Sequence, residues 1–89
     1  MKTIITVIGK DKPGIIATVS TRLFKLNINI LDVSQTIMAD NFTMIMLVDL
    51  SKITVSFDEV KTAMNQTAES LGVSINVQRE AIFNAMHRV

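Results

Sequence analysis

No cysteine, tryptophan or tyrosine occurs in this 89-residue chain, and proline occurs once. The missing cysteines exclude disulfide staples, thiolate metal sites and thiol chemistry together. Four phenylalanines are the only aromatics. An RNA-recognition sheet needs aromatic side chains on its central strands to stack bases, and here those strands offer only Phe42. An excess of one charge sign is missing too. Nine Lys and Arg stand against eight Asp and Glu, which argues against a generic basic nucleic-acid binder. Long apolar runs are absent. The longest is Met44 to Val48, five residues, where a bilayer span needs roughly 18 or more. The opening Met1–Ile8 mimics a signal peptide, with Lys2 ahead of apolar residues. It breaks at Gly9-Lys10-Asp11, however, and no small-residue cleavage site follows. It reads as a strand of a cytoplasmic protein that has no dealings with membrane or nucleic acid.

What is present is aliphatic density. Hydrophobic residues make up 48% of the chain, which excludes disorder and allows a core of Ile, Val, Leu and Met. The length fits one domain, residues 1–89. Lys2 to Ile8 is β-branched and reads as a strand. Gly9 to Gly14 holds two of the three glycines and the only proline, and reads as a polar turn. From Ile16 the period becomes helical through Val19, Leu23 and Leu26. Pro13 suits the first helical turn, and Asn27 suits a left-handed helix end.

Asn29 to Met38 returns to strand chemistry. Leu31, Val33 and Ile37 lie on one phase, and Asp32, Ser34 and Thr36 on the other. Asp40-Asn41 marks a hairpin reversal, and Phe42 to Leu50 is apolar on both phases, as a central strand is. Ser56 to Glu59 spells a capping box. Phe57, Val60, Met64, Ala68 and Leu71 then form a helical stripe that Gly72 closes. Val73, Ile75 and Val77 alternate with polar residues as a fourth strand, and 80–89 reads as a short helix. The fold class is therefore α+β: a ferredoxin-like βαββαβ core over 1–79, with a four-stranded antiparallel sheet, two helices on one face and a C-terminal helix. The second strand, with Ser34, Gln35 and Thr36, reads as an edge, and one sheet face is left bare for the tail or a second subunit.

Such folds host unrelated functions, so the site must decide. A catalytic constellation is missing: the single His87 is nearly terminal, and no nucleophile stands beside a base. No cofactor motif or metal-ligand spacing appears. The turn from Gly9 to Ile15 is the feature with chemistry. Backbone N–H groups of Gly14, Ile15 and Ile16 at a helix start favour an anion, and Asp11 suits an ammonium. Together they complement an α-amino acid. The same residues also serve a purely structural turn in which Asp11 caps the helix and Pro13 starts it.

The run Val7-Ile8-Gly9-Lys10-Asp11-Lys12-Pro13-Gly14-Ile15-Ile16, followed by Leu26-Asn27-Ile28-Asn29-Ile30, resembles the signature of the ACT domain family along the whole chain. The nearest resemblance is to stand-alone bacterial ACT proteins related to the ACT domains of the glycine-cleavage regulator. It implies a non-catalytic regulatory module that pairs as a homodimer and binds an amino acid between subunits. Asp11, Pro13, Gly14 and Ile15 would form the loop side of that site. Asn29 and Ile30 from the neighbouring subunit would form the strand side. In some amino-acid-binding members a polar side chain stands where this chain has Gly9. The resemblance also implies an unidentified protein partner to receive the signal. The alternative is a ligand-free module that docks on a metabolic enzyme or regulator.

Overall fold

In the computed structural model, which describes residues 2–80, the β-branched N-terminal run becomes β1 (Lys2–Lys10). It is followed by α1 (Ile15–Lys25), β2 (Asn29–Met38), β3 (Asn41–Asp49), α2 (Phe57–Leu71) and β4 (Ser74–Arg79). The strands form one sheet in the order β2-β3-β1-β4, antiparallel throughout. This is the ferredoxin-like arrangement, with β1 and β3 central and β2 at an edge. The expected C-terminal helix, 80–89, lies outside the described residues except for Glu80.

One phase of each central strand builds the core. Ile5 and Val7 of β1 lie in register with Met46 and Met44 of β3, and with Val77 and Ile75 of β4. All six are buried and pack with Val19 and Leu23 of α1 and Val60 and Met64 of α2. Met44 and Met46 therefore fill the monomer's own core and present no recognition surface. The other phase of β1 and β3 also carries apolar residues, Ile4, Ile8, Ile45 and Leu47, and there Ile8 and Ile45 remain exposed.

Several local details differ from the sequence reading, each for a physical reason. Gly14 adopts φ 89, a left-handed conformation incompatible with helix, so α1 starts at Ile15 and Pro13 lies outside it. The buried stripe of α1 accordingly runs Ile15, Val19, Leu23, while Ile16 is exposed. β1 continues through Gly9 and Lys10, which pair with Phe42 and Asn41. The hairpin turn is Ala39-Asp40, one residue earlier than Asp40-Asn41: both have positive φ, and Met38 pairs with Asn41. A bulge between Ile30 and Asp32 sets Leu31 outside the alternation.

The ends of the helices follow the expected chemistry elsewhere. Asn27 has φ 64 after α1, and Gly72 has φ 70 after α2. Ser56 Oγ accepts the N–H of Glu59 at 3.2 Å, capping α2. Ser56→Ala is expected to cost about 0.5–2 kcal/mol of stability, read by chemical denaturation, with the m-value unchanged.

Candidate functional site

Three connections meet at one end of the sheet: the β1–α1 loop, the β2–β3 turn and the α2–β4 turn. The Asp11 N–H donates to the Asp40 carbonyl at 2.8 Å, tying the first to the second. Gly9 ties the first to the third. A Cβ there would lie 2.7 Å from Val73 Cγ1, so only glycine lets these backbones approach. That packing explains why no polar side chain stands at position 9. Lys12 extends its ammonium over Gly72, where the C-terminal end of the α2 dipole favours a cation.

The N-terminus of α1 opens at this junction. Its first intrahelical bond is Thr18 N–H to Gly14 O at 2.9 Å, so the N–H groups of Ile15, Ile16 and Ala17 have no intrahelical acceptor. Among the described residues no side chain caps this end, and its first turn holds no acidic residue. The contrast with α2 is direct, since α2 has the Ser56 cap and Asp58 and Glu59 in its first turn. Asp11 does not cap α1, which removes the structural role foreseen for its carboxylate. Gly14 needs its glycine for its positive φ. A Cβ there would meet nothing within 4 Å, so the approach to the backbone is open.

These groups border a concavity of about 210 Å³ lined by Asp11, Lys12, Gly14, Ile15, Ile16, Ala17, Gln35, Ile37 and Phe42. Of the six expected site residues, Asp11, Gly14 and Ile15 are thus brought together. Pro13 sits in the same loop but is not part of the lining. Asn29 and Ile30 lie at the opposite end of β2. Asn29 borders a second depression with Phe24, Asn27, Ile28 and Lys52, and Ile30 packs half-buried against the core. Sequence reasoning missed Gln35, Ile37 and Phe42 as lining residues. Gln35 did carry a signal, because it interrupts the apolar phase between Val33 and Ile37.

At the Asn29 end, Asp49 stands opposite Asn29 in the β2–β3 register. Its carboxylate accepts the Ser51 N–H at 3.0 Å and the Ser51 hydroxyl at 3.1 Å. The backbone bond from Ser51 is the main cause holding Asp49 below its ordinary value. A depressed carboxylate pKa stabilises the fold above the unfolded value, and that contribution is lost as pH falls through the folded one. Among the described residues, no helix is long and apolar enough to cross a membrane, and no cluster of His, Cys, Asp or Glu could hold a metal ion.

Comparison with known proteins adds four findings. A family model described as the ACT domain matches residues 2–78. A UPF0237 protein of Clostridium acetobutylicum is 64% identical over 89 residues, with 100% of both chains covered. The solved structure of an ACT domain protein from Streptococcus pneumoniae is similar at a TM-score of 0.82 and 44% identity, covering 98% of each chain. A putative glycine cleavage system transcriptional repressor superposes at a TM-score of 0.73 and 22% identity. That match covers 86% of this chain and 44% of the repressor, and is a likeness of fold.

Proposed function

The chain belongs to the ACT domain family, and from that premise we propose that it is a non-catalytic cytoplasmic sensor of a free amino acid. The observation that carries the reading is the uncapped N-terminus of α1, open to a concavity that also holds Asp11. The N–H groups of Ile15, Ile16 and Ala17 receive the ligand carboxylate, and Asp11 receives its ammonium. Pro13 fixes the loop backbone ahead of Gly14.

A homodimer supplies the rest. Among the described residues β2 is an edge with no strand on its outer side, and antiparallel addition of a second β2 sets the start of one strand beside the end of the other. Asn29 and Ile30 of the partner subunit then come to the Ile37 end, beside the concavity. The Asn29 amide can serve both charged groups of the ligand. Greater affinity for the closed pair than for other arrangements shifts the population that a protein partner meets.

Thermal unfolding against each of the twenty amino acids tests this. At about 100 times its dissociation constant, a ligand adds about 2.7 kcal/mol, or more than ~10 °C for a chain of this size. Asp11→Ala is expected to remove the shift without lowering the ligand-free midpoint by more than ~3 °C. No shift with any amino acid would contradict the reading and leave a docking module.

A further inference from the structure

We propose that Phe24 of each subunit closes the partner's ligand concavity and makes it selective for amino acids with aliphatic side chains. This rests on the homodimer reading above. Phe24 is 79% exposed, although an aromatic ring offers roughly 150–250 Å² to burial. It shares one flank of α1 with Ile16 and Ser20, at spacings of four residues. The Ile16 end of this flank borders the concavity with Gln35 and Ile37, so the flank overhangs β2.

Beneath it, the described residues leave the helix-facing phase of β2 open, with Val33 43% and Ile37 56% exposed. α1 and β2 run in opposite directions between the same two ends of the sheet. Ile16 and Ile37 therefore lie at one end, and Phe24 and Asn29 at the other, where both border one depression. A two-fold axis that pairs β2 with its copy exchanges the ends. Phe24 of the partner subunit arrives at the Ile16–Ile37 rim.

The flank is self-complementary about its small midpoint, Ser20, as an isologous interface requires. Residues 31–38 of β2 are all exposed and contain no Lys or Pro to deter pairing. This strand, together with Ile16 and Phe24, presents on the order of the ~800 Å² per partner that a stable dimer buries. A second copy is the occupant these features fit. With the ring in place, Ile16, Ile37, Phe42 and Phe24 wall the part of the concavity away from the loop, where Gln35 is the one polar side chain of the lining. A charged ligand side chain there would lose its water with only the neutral Gln35 amide to replace it.

The test replaces Phe24 by p-benzoylphenylalanine in the full chain and irradiates an equal mixture of light and isotope-labelled protein. Sedimentation equilibrium on the same sample gives the subunit number. Dimers with light–heavy cross-links to peptides containing Ile16 or Ile37 are expected. In unmodified protein, leucine is expected to stabilise and aspartate not. Phe24→Ala should weaken leucine binding at least ~10-fold, as loss of an aromatic interface anchor does. Dimers whose cross-links stay within one chain, or reach other peptides, would overturn the role of Phe24 and leave the dimer standing. Stabilisation by aspartate equal to that by leucine would overturn the selectivity alone. A monomer would remove the homodimer reading and this inference with it.

Discussion

Met46→Ala is expected to cost about 2–5 kcal/mol and to lower the thermal midpoint by roughly 10–30 °C. Met46 sits on β3 between Ile5 of β1 and Val33 of β2, and is completely buried. Few aromatics are available to this core, so aliphatic and methionine side chains supply nearly all its volume. Removing one leaves a cavity that neighbours on a fixed sheet cannot fill. Methionines that repack around the gap would hold the cost near the lower bound. Ile45 is the control. It is the preceding residue on the same strand but faces the other side, and is 38% exposed. Ile45→Ala should cost well under half as much in the same calorimetric scan.

Gly9→Ala is the second large effect, expected at about 1–3 kcal/mol from overpacking. The new Cβ would stand 2.7 Å from Val73 Cγ1, 2.9 Å from its Cβ and 3.2 Å from its Cα. The side-chain atom can rotate away, but the Cα cannot move without moving the α2–β4 connection. Val73→Ala in the same chain removes the shortest contact and should return part of the loss. A double-mutant cycle in denaturant measures that coupling, and additivity would contradict the packing account. Because Gly9 leads into the site loop, Gly9→Ala should also weaken any amino-acid stabilisation.

How much of this was legible in the sequence depends on how local the cause is. The helix ends at Asn27, Ser56 and Gly72 follow from side-chain chemistry within a few residues, and the structure has each of them. β3 reads as central because both its phases are apolar, and the sheet order puts it there. The start of α1 is not legible locally, because Pro13 is a good first helical residue in isolation. The left-handed Gly14, one residue on, overrides it. The hairpin turn slipped by one because Ala39 sits at φ 48, where alanine gives no warning. Asp11, Gly14 and Ile15 are neighbours in sequence and could be grouped by motif. Gln35, Ile37 and Phe42 join them only through strand order and register, which the linear pattern does not contain. Asn29 lies at the far end of its own chain's sheet. In the proposed homodimer a second copy brings it to the loop.

In the proposed sensor an amino acid sits on the N-terminus of α1 between two subunits. The most direct test of this is a titration of isotope-labelled protein with leucine, following backbone amide resonances. The Ile15, Ile16 and Ala17 amides are expected to move together with the Asn29 side-chain amide, along one saturation curve. The Asp11→Ala protein should show none of these shifts at the same concentrations. Movement confined to residues of the bare sheet face, such as Ile8 and Ile45, would contradict it. So would a loop that stays still at millimolar leucine while the protein is dimeric.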